Sequence, residues 1–87
     1  MDDVERARTV IDGMEHPEWV VRARASRMLD LDGEPTVEVL SVLRRGRRPD
    51  IHEQYIHFEA VSALLRDTNI SLYPYFRYVG EGEPDAF

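Results

Sequence analysis

The chain has 87 residues and a mass of 10.1 kDa, which suits one small domain and excludes an enzyme built from separate substrate and cofactor lobes. It contains no cysteine, so a disulfide framework, a cysteine nucleophile, an iron–sulfur centre and a thiolate-bound zinc are all excluded. Seventeen acidic residues against eleven basic ones leave a formal charge of −6, which disfavours binding nucleic acid through a broadly basic surface.

In chain order, the first segment opens on Asp2-x-x-Glu5, a spacing in which carboxylates accept the orphan amides of a helix start. Val4, Ala7, Val10, Ile11 and Met14 follow at helical spacing and Gly13 marks the end, predicting a helix over about 2–13. The second segment starts at Pro17, a residue suited to the first helical position. It carries Trp19, Val21, Ala25, Met28 and Leu29 to a stop at Asp32-Gly33, predicting a helix over 17–31. Pro35 opens a third predicted helix, 35–45, with Val39, Leu40, Val42 and Leu43 inward and Gly46 at its end.

The fourth predicted helix, 50–66, is the most sharply bounded. Pro49 precedes it, Asp50-x-x-Glu53 is a second capping-box spacing, and neither glycine nor proline interrupts it. Ile56, Ala60, Ala63 and Leu64 form one apolar stripe and Ile51, Phe58, Val61 and Leu65 another, so this helix is expected to pack on two sides. An aromatic segment with Tyr73, Tyr75, Phe76 and Tyr78 follows, read as a short helix over 70–79 interrupted by Pro74. Residues 80–87 are a polar, breaker-rich tail, expected to be flexible and acidic.

Shifted against itself by 35 places, the sequence sets Val21 on Ile56, Arg22 on His57, Ala25 on Ala60, Leu29 on Leu64 and Asp32 on Asp67. The run from Pro17 through Val21-Arg22, Ala25 and Leu29 to Asp32-Gly33 resembles the HEAT or HEAT-like (PBS-lyase-type) repeat. In that repeat a helix pair starts at Pro or Asp, continues Val-Arg-x-x-Ala-x-x-x-Leu and turns through Asp or Gly. The resemblance covers about residues 15–79, with His57 standing where the motif has arginine and an atypical aromatic end. It implies an all-α fold of four to five helices forming a short α-solenoid. Arg22 would tie neighbouring repeats through an acidic partner, and two repeats alone call for special caps or a homodimer. Ala25, Leu29, Ala60 and Leu64 are expected to meet in one core.

His52-Glu53-x-x-Ile56-His57 looks like the zinc-protease motif, but histidines five apart stand about 140° around a helix, against about 40° for four, and cannot share a metal. Glu53 and His57 read as a surface pair, and His16 as a residue leading into the next helix. With no nucleophile elbow and no glycine-rich phosphate loop, no catalytic residue, metal ligand or cofactor is assigned.

The candidate protein-binding residues are Trp19, expected to be exposed, Arg22, the guanidiniums of Arg44, Arg45, Arg47 and Arg48, and the cluster Tyr73, Tyr75, Phe76 and Tyr78. The arginine run also fits a helix end, where cations complement the dipole. The expected function is a non-catalytic protein-interaction module. A second reading is nucleic-acid association through Arg44–Arg48, and a third is a small acidic inhibitor seated in the nucleic-acid-binding site of a bacterial or viral enzyme. No apolar run approaches the roughly 20 residues of a membrane span and Met1-Asp2-Asp3 lacks the basic start of a signal peptide, so a cytoplasmic location is expected. All eleven basic residues are arginine, which points to a GC-rich genome of a prokaryote or phage.

Overall fold

The computed structural model describes residues 1–87. In chain order it contains α1 (Asp3–Gly13), β1 (Val20–Leu29), β2 (Pro35–Leu43), α2 (Ile51–Asp67) and β3 (Tyr75–Gly80). The strands form one sheet in the order β1-β2-β3, with β1 and β2 antiparallel and β2 and β3 parallel. The crossover between the parallel pair is α2, as parallel neighbours require.

The two helices begin where their caps are. Asp2 accepts from Glu5 N–H at 2.9 Å, and that bond, with the Arg27 guanidinium 2.7 Å away, holds the Asp2 carboxyl below the usual carboxylate range. At α2 the capping box is complete: Asp50 accepts from Glu53 N–H at 2.8 Å and Glu53 accepts from Asp50 N–H at 3.1 Å.

The all-α expectation is overturned, and the HEAT resemblance and α-solenoid with it: the chain is an α+β fold in which 17–31, 35–45 and 70–79 supply strands. Two physical signals favour the sheet. Val20, Val21, Thr36, Val37, Val39 and Val42 are β-branched, stiff at χ1 and at home on a pleated surface. And Asp32-Gly33, read as a helix stop, is a hairpin turn. There Asp30 Oδ1 accepts from Asp32 and Glu34 N–H, both at 2.9 Å, while Gly33 takes the left-handed φ of +79°. Pro74, read as a break in a helix, sits immediately before β3, where a missing N–H is tolerated.

Both helices cover the same face of the sheet. Val4, Ala7 and Ile11 of α1 and Val61 and Leu65 of α2 form one core with Ala25 of β1, Val37 and Val39 of β2, and Ile70. The expected joint core of Ala25, Leu29, Ala60 and Leu64 is not formed. Ala25 is buried, Ala60 faces solvent, and Leu29 lies at the strand's end, 63% exposed. β2 is the central strand and is buried on both faces, so its sequence shows a continuous apolar run instead of alternation. On the face without helices, Leu40, Val42 and Val79 are covered by the returning C-terminal residues Ala86 and Phe87.

Candidate functional site

β3 forms one edge of the sheet. Glu81 N–H donates to Leu43 O at 3.0 Å where the ladder continues past the strand, and backbone groups alternate sides along an extended chain. The N–H and C=O groups of Tyr75, Arg77 and Val79 therefore turn toward β2, and those of Phe76 and Tyr78 turn outward, where no further strand lies. Alongside runs the start of α2, and between the two lies a groove of about 500 Å³, lined chiefly by Ile51, Tyr55, Phe58, Tyr73, Phe76 and Tyr78.

Helix geometry explains the apolar rim. The buried stripe of α2 is His57, Val61 and Leu65, four apart each time, and Ile51 and Tyr55 share a different face that reaches out over the groove. Ile51 is 85% exposed, Tyr55 59% and Tyr73 63%. Tyr73 packs its ring 5.3 Å from Phe58 and 5.3 Å from Tyr75, so the aromatic wall is already ordered.

At the C-terminal end of β3 a second cleft, of about 760 Å³, surrounds the turn Arg44–Arg48; Gln54 and Tyr78 line both spaces. The turn closes through Arg47 N–H donating to Arg44 O at 2.9 Å, with Gly46 at φ +80°. Arg47 lies 2.7 Å from Glu53 and 3.7 Å from Glu18. The Arg47 hydrogen bond, joined by that from Asp50 N–H, holds the Glu53 carboxyl below its usual range. Arg44 donates to Glu18 O at 3.0 Å. Arg45 and Arg48 stay exposed, but Glu81 and Glu83 line the same cleft. The four arginines are thus interleaved with carboxylates and offer no uninterrupted track for a phosphate backbone.

Beneath the groove, three side chains missed as a group in the sequence form a polar chain in which His57 is buried and His16 and Tyr78 are half-buried. His16 Nε2 lies 3.1 Å from Ile11 O, His16 Nδ1 lies 2.9 Å from His57 Nε2, and His57 Nδ1 lies 3.0 Å from the Tyr78 hydroxyl. A carbonyl oxygen only accepts, so His16 Nε2 carries the hydrogen and its Nδ1 accepts in the neutral ring. His57 Nε2 must then donate to His16, and His57 Nδ1 must accept from Tyr78. Every bond points the same way. His57 is 0% exposed, with the rings of Phe76 at 5.0 Å and Trp19 at 5.5 Å edge-on. Burial, reinforced by the charge of a protonated His16, pushes its pKa down to about 4, and burial pushes Tyr78 up to about 12. The available sequence signal was His57 at four- and eight-residue spacing before Val61 and Leu65, a histidine on the buried stripe.

The predicted binding residues therefore separate. Tyr73, Tyr75, Phe76 and Tyr78 gather at the groove; Arg44, Arg45, Arg47 and Arg48 line the adjoining cleft. Trp19, expected outside, is buried against Val20 and Leu43 and braces His57 and Tyr78. Arg22 lies on the opposite face of the sheet, donating to the Phe87 carbonyl, with Arg24 stacked 4.3 Å over the Phe87 ring. No helix is long and apolar enough to cross a membrane. Comparison with protein-family models, curated proteins and solved structures finds no match for the chain.

Proposed function

We propose that the protein is a non-catalytic protein-interaction module that captures an extended, largely apolar segment of a partner protein as a fourth strand beside β3. The observation that carries this is the coincidence of unpaired main-chain groups at Phe76 and Tyr78 with the apolar rim of Ile51, Tyr55 and Tyr73. Only another extended chain pairs such an edge in register, and alternate side chains of that chain would enter the groove. The setting we propose is the cytoplasm, which suits a fold that needs no disulfide.

A second copy of the chain fits the edge poorly. A two-fold antiparallel pairing that uses both free residues sets Phe76 against Tyr78 of the copy and Arg77 against Arg77. Like charges meeting directly across a pair are destabilising. The Arg77 guanidinium lies on the other face of the sheet, 3.5 Å from Glu38, and that neighbour softens the repulsion without removing it.

The test is selection of displayed random peptides on the full chain, followed by titration of a recovered peptide into labelled protein. The expected peptides have apolar residues at alternate positions, shift the amide signals of Phe76 and Tyr78, and lose binding at least tenfold in Tyr55→Asp, equivalent to about 1.4 kcal/mol. Shifts confined to the opposite face, or a self-associating chain that recovers no peptide, would reject the reading.

A further inference from the structure

The one-way hydrogen-bond chain from Tyr78 to Ile11 ends at the surface of the proposed groove, because Tyr78 lines both the groove and the arginine-bearing cleft. We propose that proton uptake by the His16–His57 pair reverses the direction of this chain at Tyr78, releasing its hydroxyl hydrogen toward the two clefts and making docking at β3 sensitive to pH. Only the docking step rests on the groove reading; the reversal is a property of the free chain.

The reversal follows from counting hydrogens. In the neutral chain His57 has one N–H, on Nε2, donated to His16, and its Nδ1 accepts from Tyr78. When one proton is added, two arrangements avoid setting N–H against N–H. The charge sits on His57, whose Nε2 and Nδ1 both donate. Alternatively it sits on His16, whose Nδ1 now donates, so that His57 Nε2 must accept and its hydrogen moves to Nδ1. Both arrangements place a hydrogen on His57 Nδ1. In both, the Tyr78 oxygen becomes the acceptor and its own hydrogen must leave the line to His57. The result does not depend on which ring holds the charge, and two charged rings in direct contact are excluded by their repulsion.

No carboxylate or guanidinium is hydrogen-bonded or ion-paired to either ring, and Glu15, next to His16 in the chain, is exposed. From β3 the pair meets Tyr78 and the neutral ring of Phe76, and from the connection before β1 it meets Trp19. β2 brings only Val37, Val39, Ser41 and Leu43 to the helix-covered face, none of them titrating. From α1 comes the Ile11 carbonyl, whose neighbour Asp12 is bonded to Ala25 N–H. On α2, Glu53 lies one turn before His57 and is engaged by Arg47.

Nitrogen-15 NMR of the free, full chain tests the reversal. At about pH 7.5, His57 Nε2 is expected to be protonated and Nδ1 bare; through the acid titration of the pair, Nδ1 gains its hydrogen. An Nδ1 already protonated at neutral pH, or still bare once the pair has taken its proton, overturns the proposal. In Tyr78→Phe the charged pair loses its acceptor, so its midpoint should fall by about half a pH unit or more. An unmoved midpoint in that folded variant overturns the link to Tyr78. For the docking step, a display-selected peptide is titrated at about pH 7.5 and about pH 5, where affinity should differ at least threefold in the natural chain and be level in Tyr78→Phe. Equal affinity in the natural chain rejects the pH response alone. Failure of every peptide to bind, with the tautomer change observed, rejects the groove reading and leaves the reversal standing.

Discussion

At the β1 edge of the sheet the central backbone groups are taken by side chains of α1: Ala25 N–H donates to Asp12 Oδ1 at 2.9 Å and Ala25 O accepts from Arg8 Nε at 3.2 Å. At the β3 edge the corresponding groups of Phe76 and Tyr78 face a groove instead. The same domain thus seals one edge with a helix and leaves the other open next to the exposed side chains of Ile51, Tyr55 and Tyr73. Open strand edges invite pairing, and proteins blunt them by covers and charges unless pairing is wanted. Under the proposed function the contrast would separate a stability role from a recognition role within one sheet, and each can be attacked separately.

The largest effect should come from acid, acting behind the β3 edge. The folded-state pKa of His57 is pushed down to about 4 from an ordinary value of 6.5, so the neutral ring stabilises the fold fully above pH 6.5. As pH falls toward 4 the unfolded chain gains a proton that the folded chain refuses, and stability is lost at about 1.4 kcal/mol per pH unit, on the order of 3 kcal/mol in all. The Asp2 and Glu53 carboxyls are held below their ordinary values, so their contributions fade only at lower pH. Urea midpoints at about pH 7, 6 and 5 check this; a flat profile would mean that the folded His16–His57 pair takes up protons as readily as the unfolded chain.

The β1 edge should respond next. Asp12→Ala leaves the Ala25 amide without a partner, at an expected cost of about 1–2 kcal/mol. In the natural chain the Ala25 amide should exchange slowly with solvent although it points away from the sheet, while the outward amides of Phe76 and Tyr78 exchange fast. The substitution should erase the slow exchange at Ala25 and leave the β3 edge unchanged. Equal exchange at the two edges before substitution would dissolve the contrast.

How much of this was legible in the sequence depends on the kind of signal. The caps were specific: Asp2 and Asp50 stand one residue before α1 and α2 and each accepts from the N–H three residues on, although only Glu53 returns the bond and Glu5 turns to Arg8 instead. The 35-residue repeat was not specific, and the reason is arithmetic. Val21, Ala25 and Leu29 are spaced by four, as are Ile56, Ala60 and Leu64. Four is close to one helical turn and is also twice the strand period, so the same pattern serves a strand in β1 and a helix in α2. The stronger clues lay elsewhere, in the β-branched run Thr36–Val42 and in an Asp-Gly pair between two apolar segments, which favours a hairpin. At the site, the aromatic cluster Tyr73–Tyr78 was visible as a cluster, but its partner surface on α2 was hidden. The spacing puts Ile51 and Ile56 on two apolar stripes expected to pack, yet both side chains are exposed. The His16–His57 contact joins residues 41 apart in sequence, a pairing that no local spacing encodes.

The smallest effect on stability, and the sharpest test of the contrast, is expected at the rim of the groove. Tyr55 sits on the outward face of α2, 59% exposed, with Ile51 one turn before it. Tyr55→Asp removes little buried area and places a charge in water, so the unfolding midpoint should move by no more than about 0.5 kcal/mol. Where an extended apolar segment docks beside β3, however, the new carboxylate must be desolvated against it, and capture should fall at least tenfold. The mirror-image result is required of Asp12→Ala: lower stability, unchanged capture. A Tyr55→Asp chain that unfolds far more easily would place Tyr55 in the core after all. An Asp12→Ala chain that loses capture in step with stability would show that the two edges act together, and the division of labour argued from their hydrogen bonds would have to be given up.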